Sequence, residues 1–288
     1  MIGQFFSLTP DNVLAAVEQA GARTTGLCYA LNSLENRVYE VELVDERRVV
    51  AKFYRPGRWD RDTILDEHRL LMALVDMEIP VCAPTPFPSG DTLATTADGI
   101  HFAIFPRTGG RSPDELSLDE FTQLGRLLAR IHNVSAHLKL NHRPVLSPAT
   151  YGTECLQLLQ SRGCIAPSVA ADYAKAVGMV VDLMAPHWEG LETFVVHADC
   201  HRGNLLRGRE GWFFLDFDDM ARGPAVQDLW LLLPARPTDC PAEVEAMLEG
   251  YEQFRAFPRA SLRLVEGLRA LRYVRYAAWV ASRWEDPS

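Results

Sequence analysis

The chain has 288 residues, 48% of them hydrophobic and 23% charged, which is enough for one large domain or two modest ones with a full core. Its formal net charge of -9 argues against a duplex nucleic-acid binder, which needs a strongly basic surface. The sequence shows no apolar run as long as a membrane span and no signal-peptide pattern, and its six cysteines form no C-x-x-C pair. We therefore expect a globular, cytoplasmic monomer with reduced thiols that binds neither nucleic acid nor membrane.

The first third of the chain has the pattern of a β-rich lobe. A helix is predicted over residues 10–20, followed by two strands over residues 37–44 and 48–54 that a tight polar turn joins into a hairpin. Apolar residues at helical spacing predict a helix over residues 60–76. A proline-rich loop and a short strand over residues 101–105 then lead to a candidate connection between two lobes.

The remainder of the chain is predicted to be mostly helical. Ser117 and Glu120 fit a capping box at the start of a helix whose apolar residues share one face. Further helices are expected over residues 168–184, 241–257 and 261–284, and short strands over residues 193–197, 205–207 and 212–217. The fold class is therefore α+β and bilobal. Residues 1–106 are expected to form a nucleotide-binding lobe, and residues 107–288 a catalytic and substrate lobe.

The strongest chemical signal is a run of polar residues between short apolar strands. Asp199 and Asn204 lie five residues apart, and Asp216 follows Asn204 by twelve residues at the end of a predicted strand. The Asp-x-x-x-x-Asn spacing matches the catalytic loop of protein kinases. Asp199 can accept the proton of an attacking hydroxyl, while Asn204 and Asp216 offer the oxygen ligands that Mg²⁺ prefers. Taken singly, Asp199, Asn204 and Asp216 could each be an ordinary polar loop residue without a catalytic role, and this is the alternative interpretation.

A second signal is a pair of charges in apolar surroundings. Lys52 lies inside an apolar strand, and Glu67 shares a helix face with Ile64 and Leu71. A buried charge is costly unless it has a partner, so one ion pair explains both residues better than two separate accidents do. In kinases such a pair orients the α- and β-phosphates of the nucleotide. The alternative is a snorkelling lysine and a boundary glutamate.

The phosphate-binding segment is less clearly marked. The sequence contains no Walker A motif and no G-x-G-x-x-G before the first hairpin. The segment over residues 31–36 takes that place, and its backbone amides and the Ser33 hydroxyl are candidates for binding phosphate. Ser33 and these amides are candidates because the segment precedes the predicted hairpin, where kinases carry their phosphate-binding loop.

Other clusters favour ordinary structural roles. His197, Cys200 and His201 are spaced too closely for a zinc site, and they are too close in sequence for a cysteine hydrolase triad. We interpret His197 as a brace for the loop and Cys200 as a small buried residue. The last predicted helix carries several arginines, which we interpret as a solvated basic face, with a docking surface for an acidic partner as the alternative: Arg263, Arg269, Arg272, Arg275 and Arg283.

Together these motifs resemble the aminoglycoside phosphotransferase and choline kinase branch of the kinase-like fold. Its catalytic loop usually has the pattern His-Gly-Asp-x-x-x-x-Asn, where this chain has Ala198 in place of the glycine. Within that branch, four segments closely resemble bacterial stress response kinases: residues 31–39, 52–56, 197–204 and 223–230. The resemblance covers residues 9–287, and the family is expected to continue with another helical stretch beyond residue 288.

The resemblance implies a stress-response serine/threonine protein kinase that uses ATP and Mg²⁺ and can phosphorylate itself. Asp199 would be the catalytic base, Asn204 and Asp216 would hold magnesium, and Asp216 would thereby take part in catalysis. Ser33 would lie at the nucleotide, and Lys52 and Glu67 would form the phosphate-orienting pair. Asp218 would be a further metal neighbour, and Asp228 would brace the catalytic loop.

Two alternative functions stay open on the sequence. The first is a small-molecule kinase acting on an amino alcohol, a sugar or an antibiotic, because the same catalytic parts serve both substrate classes. An acidic patch in the helical lobe would favour this class. The second is an inactive nucleotide-binding scaffold, against which the retained Lys52, Glu67, Asp199, Asn204 and Asp216 argue.

Overall fold

A computed structural model of the chain describes residues 2–6, 8–209 and 211–286. The fold separates into two compact units. The first runs to Ser112 and takes in Leu140–His142 and Leu205–Asp218, and the second comprises Pro113–Lys139, Arg143–Asn204 and the chain from Asp219 onward. The lobe boundary expected between residues 106 and 107 stays a prediction.

The strands among the described residues are short. In chain order they are β1 (Thr24–Leu31), β2 (Arg37–Leu43), β3 (Arg48–Phe53), β4 (Ala94–Thr95), β5 (His101–Pro106), β6 (Phe194–Val196), β7 (Leu205–Gly208), β8 (Gly211–Phe214) and β9 (Ala221–Gly223). Of these, β6 and β9 belong to the second unit and the others to the first.

Most of the helices, unlike most of the strands, belong to the second unit. The first unit contains α1 (Ile2–Phe6), α2 (Pro10–Gln19) and α3 (Arg61–Asp76). The second contains α4 (Leu118–His137), a π-turn (Ala149–Thr153) that runs into α5 (Glu154–Ser161), α6 (Ala170–Trp188), α7 (Val226–Trp230), α8 (Pro241–Glu252), a 3-10 turn (Arg259–Leu264) and α9 (Val265–Ser282).

An antiparallel sheet in the order β1-β2-β3-β5-β4 organises the first unit. The predicted hairpin is confirmed, since β2 and β3 pair with Val38 opposite Lys52. Successive side chains of a strand point to opposite faces, and Val49, Ala51 and Phe53 enter the apolar core that α2 covers. Lys52 therefore belongs to the opposite face of the sheet.

Local signals in the sequence explain where α3 and α4 begin. Asp60 accepts a hydrogen bond from the Thr63 amide at 2.8 Å and caps α3. Ser117 and Glu120 form the predicted capping box of α4, with the Ser117 amide donating to the Glu120 carboxylate at 2.9 Å. Both helices then bury an apolar face, as their periodicity predicts.

Close contact between α4 and α8 builds the helical unit. A Cβ atom on Gly125 would lie 2.1 Å from the Met247 carbonyl oxygen, and one on Gly250 would lie 2.0 Å from that of Thr122. Both positions therefore require glycine, because the two backbones touch there. A second apolar cluster holds α5, α6 and α9 together.

Several elements differ from the sequence expectations. Strand β1 was not predicted, because most of its residues are exposed and show no apolar alternation. The last predicted helix, over residues 261–284, is divided instead into a 3-10 turn ending at Leu264 and α9 from Val265 to Ser282. Helix α6 runs to Trp188, beyond its predicted end, and includes Pro186.

Within the parts of the chain that the structure describes, no helix is both long and apolar enough to cross a membrane.

Candidate active site

The catalytic-loop segment, residues 197–204 of the second unit, follows β6 and is fixed by one buried carboxylate. Asp228 accepts hydrogen bonds from the amides of His197 at 2.8 Å and Ala198 at 2.7 Å. Its Oδ2 also lies 3.0 Å from Nε2 of His132, which is likewise buried. Asp228 thus braces the backbone of the loop, as predicted, and has no exposed surface from which to react.

Ala198 has the left-handed backbone conformation that favours glycine, with a φ angle of 66°. A non-glycine residue there costs about 1–2 kcal/mol. The bond from its amide to Asp228 and the bond from Gln227 Nε2 to its carbonyl oxygen, at 2.9 Å, hold it in place. The loop therefore keeps this backbone shape without the glycine of the family pattern.

The predicted base, Asp199, has partners on both carboxylate oxygens. Arg272 Nη2 donates to Oδ1 at 2.7 Å, and His201 Nε2 lies 3.4 Å from Oδ2. The Gly203 amide donates to His201 Nδ1 at 3.0 Å, so Nε2 carries the ring proton that faces Asp199. Burial raises the pKa of the Asp199 carboxyl, but the hydrogen bond from His201 and the charge of Arg272 outweigh it and hold the pKa well below its ordinary value. Asp199 is therefore ionised at neutral pH.

Asn204 ends a short 3-10 turn that begins at Arg202. Its Nδ2 donates to the Asp199 main-chain carbonyl at 2.9 Å and lies 3.4 Å from the carboxylate oxygen Oδ2. This bond fixes the orientation of the side-chain amide and leaves the carbonyl oxygen Oδ1 as an available donor atom for a cation.

In the first unit, Lys52 is buried among carboxylates. Its Nζ lies 3.2 Å from Glu67, 3.3 Å from Asp218 and 3.6 Å from Asp216, and 4.9 Å from the centre of the Tyr54 ring. The predicted ion pair with Glu67 is thus confirmed as a contact. Burial lowers the pKa of Lys52, but the charges of Asp218 and Glu67 outweigh it and raise the pKa well above its ordinary value.

Asp216 and Asp218, which follow β8, have different environments. Asp216 has a positive φ angle of 58°, and its side chain is 57% exposed, whereas the Asp218 side chain is 3% exposed. Asp216 therefore presents its carboxylate to solvent, where a metal ion can reach it. Asp218 instead lies inside the charge cluster between Lys52 and Arg58.

Arg58 is a member of this cluster that the sequence did not reveal. Its Nη1 lies 2.5 Å from Asp218 and 3.1 Å from Glu35, and its side chain is buried. The residue thereby links the segment over residues 31–36 to the strand end that carries Asp216. An arginine that directly follows Gly57 in a turn gives no periodic signal, so only the folded structure identifies it.

Within the part of the chain that the structure describes, Ser33 makes no hydrogen bond to the charge cluster of the first unit. It is exposed, and its Oγ accepts a hydrogen bond from the Asn36 amide at 3.3 Å. Asn36 is buried, and its Oδ1 accepts from the Arg55 amide at 3.1 Å. The segment is therefore shaped by its own hydrogen bonds, and a nucleotide-binding role for Ser33 stays a prediction.

The arginines of the last predicted helix form a face that is only partly solvated, because most of them also have partners within the protein. Arg263 is the most open of the five, and the other four residues are partly buried. Arg269, Arg275 and Arg283 lie over aromatic rings at 4.7–5.4 Å, and Arg272 binds Asp199. Guanidinium groups stack on aromatic rings, so a periodic run of arginines next to tryptophan and tyrosine has this second explanation.

Each unit thus gathers part of the predicted site. The first places Lys52, Glu67 and Asp216 together with Asp218, and the second places Asp199 next to Asn204. Within the described residues, no group of three or more His, Cys, Asp and Glu side chains is arranged to hold a metal ion. Exposed Asp216 and the oriented amide of Asn204 are nevertheless hard oxygen donors and fit the chemistry of Mg²⁺.

Comparison with known proteins identifies the family. Residues 30–265 match the model of the phosphotransferase enzyme family. Stress response kinase A of Escherichia coli strain K12 is 40% identical over 285 residues, which are 99% of this chain and 86% of that protein. Serine/threonine protein kinase RdoA of Salmonella typhimurium strain LT2 is 38% identical with the same coverage.

Solved structures show the same fold at low sequence identity. Amicoumacin kinase hAmiN, solved with AMP-PNP, Ca²⁺ and Ami, has a TM-score of 0.76 at 18% identity, over 95% of this chain and 87% of that one. Choline kinase LicA from Streptococcus pneumoniae has a TM-score of 0.67 at 14% identity, over 96% and 92%. The predicted α+β, kinase-like fold class and the family resemblance are both confirmed. The chain is a kinase that belongs to the phosphotransferase enzyme family.

Proposed function

We propose that this protein is an ATP- and Mg²⁺-dependent serine/threonine protein kinase of the stress response, able to phosphorylate itself. The observation that carries the proposal is the buried Lys52, held by Glu67 on the sheet face opposite the apolar core. The names of the relatives at 38–40% identity, which cover 99% of this chain, support the stress-response and protein-kinase assignments.

The charge cluster of the first unit suits a nucleotide phosphate. Lys52 is fixed by Glu67, and its ammonium group also contacts Asp216 and Asp218. Phosphoryl transfer depends mainly on positioning and on neutralising charge, and a fixed ammonium group supplies both to the α- and β-phosphates. Ser33 and the backbone amides of residues 31–36 would bind phosphate alongside it.

Two residues would hold magnesium, namely Asn204 through its side-chain carbonyl and Asp216 through its exposed carboxylate. The bound ion would neutralise negative charge on the transferred phosphoryl group. In its absence Lys52 balances the charge of Asp216 at 3.6 Å.

Asp199 would act as the general base. It is ionised, it lies on a loop that Asp228 fixes through two backbone amides, and its partners orient the carboxylate. It would accept the proton of a serine or threonine hydroxyl as that oxygen attacks the γ-phosphate. Such a base contributes about 10²–10⁴-fold to the rate.

A small-molecule kinase is the second candidate, because the structural neighbours include kinases whose names specify amicoumacin, aminopropanol and choline. Those similarities, at 14–22% identity, establish the shared fold. Both candidates share the same catalytic parts, so the acceptor must be identified by experiment.

The test is transfer of labelled phosphate from MgATP to three acceptors: the protein alone, casein, and a panel of small alcohols. Label on the protein or on casein is the expected result, with loss of transfer in Asp216→Ala. Label on a small alcohol alone would show that the second candidate is correct. Tight MgATP binding without any transfer would favour an inactive scaffold.

A separate variant tests the assignment of Asp199 as the general base. Asp199→Ala is expected to keep the wild-type melting temperature within a few degrees and to bind MgATP, while transfer slows by about 10²–10⁴-fold. Asp182→Ala, at an exposed position on α6, is the matched control and should transfer at the wild-type rate. Wild-type transfer by Asp199→Ala would show that another group accepts the proton.

A further inference from the structure

A rigid helix presents Arg272 to the Asp199 carboxylate. On α9, Leu268, Leu271 and Val274 are buried and fix the rotation of the helix about its axis. Arg272 follows Leu271 directly, and its Nη2 lies 2.7 Å from Asp199 Oδ1. The guanidinium group is therefore held against the carboxylate of the predicted base.

Most of the donors of this guanidinium group are not used by the protein. An arginine carries five N–H donors in a planar fork. Within residues 2–6, 8–209 and 211–286, the hydrogen bond of Arg272 goes to Asp199 alone, and its side chain is 42% exposed. In contrast, Arg269 lies over Trp230 at 5.0 Å and also donates to a main-chain carbonyl. Arg272 thus retains donors that face solvent next to the base.

The charges in contact with the loop give little attraction for a cation. Arg272 is the charged side chain in direct contact with Asp199, and it balances the charge of that carboxylate. The nearby Asp228 is fully buried and bonded to His132 and to the loop amides, so it cannot attract a cationic group. A cationic amino alcohol would therefore meet a neutralised carboxylate and a solvent-facing guanidinium group.

We propose that Arg272 is a specificity-determining residue that binds an anionic group next to the acceptor hydroxyl. The substrate class is a hydroxyl flanked by a carboxylate, which in a polypeptide is a serine or threonine adjacent to aspartate or glutamate. One nitrogen of Arg272 stays on Asp199, and the other donors of its fork bind the substrate carboxylate. The inference rests on the proposed function, since it takes Asp199 as the base at the acceptor site.

The experiment uses the full chain, MgATP and three peptides that differ only at the residues flanking one serine: glutamate, glutamine or lysine. A charge-assisted hydrogen bond corresponds to about tenfold or more in kcat/KM. We expect the glutamate peptide to exceed the glutamine peptide by about that factor and the lysine peptide to rank last. The readout is the ratio of kcat/KM between two peptides. A substitution that changes the rate through Asp199 affects all peptides equally, so it leaves this ratio unchanged.

Variants of Arg272 test whether this residue causes the preference for the glutamate peptide. Arg272→Gln should reduce the glutamate-to-glutamine ratio to about one, and Arg272→Lys, which keeps the charge, should retain part of it. Arg263→Gln is the matched control, because Arg263 is exposed just before α9 and donates to the Ala260 carbonyl. It should keep the full ratio, and melting temperatures confirm that each variant is folded.

Each outcome decides between the inference and the function on which it rests. Equal rates on the three peptides, or an unchanged ratio in Arg272→Gln, would overturn the role of Arg272 while the protein-kinase function stands. Transfer to small alcohols alone would overturn the protein-kinase function. In that case a preference for glycerate over ethanolamine would still support the anion-binding role, and the reverse preference would overturn it. Transfer to no acceptor would overturn both.

Discussion

The two halves of the predicted site are stabilised in different ways. In the first unit, side chains hold one another, since Lys52 lies among Glu67, Asp216 and Asp218. In the second unit, one side chain holds the backbone, since Asp228 binds the amides at the start of the catalytic loop. A network of charges depends on charge balance, whereas a braced loop depends on the geometry of a few hydrogen bonds. The two regions should therefore respond differently to substitution.

The largest effect is expected where charge balance is lost. Lys52→Met leaves Glu67 and Asp218 buried without the ammonium group between them, and breaking a buried ion pair in this way costs about 3–5 kcal/mol of unfolding free energy. Lys52→Met combined with Glu67→Gln removes one charge of each sign and should recover part of that loss. Urea unfolding of the single and double variants measures both values.

Phosphate-transfer assays of the same variants distinguish the contribution of Lys52 to stability from its role in catalysis. The double variant should be more stable than Lys52→Met and yet remain unable to transfer phosphate, because the phosphate-binding ammonium group is still missing. A double variant no more stable than Lys52→Met would show that the buried charges are not coupled in the folded protein.

The braced loop should respond to the loss of hydrogen bonds. Asp228→Ala leaves the amides of His197 and Ala198 and the His132 ring without their acceptor, and each unsatisfied buried group costs about 1–3 kcal/mol. Asp228→Asn keeps an oxygen acceptor of the same shape and should lose less. Thermal unfolding of the two variants gives the difference, and equal destabilisation by Ala and Asn would contradict hydrogen bonding as the cause.

The same contrast explains what the sequence could predict. Lys52 and Glu67 could be paired because each interrupts an apolar pattern of known period. The catalytic loop could be located because Asp199 and Asn204 keep a fixed spacing between two apolar strands. These signals are local, so they survive without knowledge of the fold.

Arg58 and Arg272 were not predicted as parts of the site, because their partners are distant in the sequence. Arg58 contacts Asp218 and Arg272 contacts Asp199, and no period or spacing connects either pair. Strand β1 escaped prediction for a different reason, since an exposed edge strand needs no apolar alternation. The sequence thus defines the helices and central strands well, and the long-range electrostatic partners poorly.

A smaller effect is expected from pH at the edge of the charge cluster. Burial, with the nearby charge of Lys52, lowers the pKa of His68 from 6.5 to about 3. Between these values the unfolded chain binds a proton that the folded protein does not, so stability is fully present above pH 6.5 and falls as the pH drops towards 3. The loss is about 1.4 kcal/mol for each pH unit.

His68→Gln tests this origin of the pH dependence. The variant keeps a polar side chain near Tyr54 and Thr92 but has no titrating ring. Urea unfolding at about pH 6.5 and about pH 5.5 should show a drop in unfolding free energy that is smaller than in the wild type by about 1 kcal/mol. An equal drop in both proteins would mean that His68 is protonated in the folded state.

The smallest expected effect returns to the braced loop. Ala198 has a φ angle of 66°, where glycine is free of strain, so Ala198→Gly should relieve about 1–2 kcal/mol in the folded state. The greater freedom of glycine in the unfolded chain offsets about 0.4–1 kcal/mol of that gain. We expect a net stabilisation of about 0.5–1 kcal/mol with transfer at the wild-type rate, because the Ala198 contacts to Asp228 and Gln227 use backbone atoms that glycine retains. Thermal unfolding measures the stability, and a destabilised Ala198→Gly would show that the alanine methyl group contributes packing that exceeds the backbone strain.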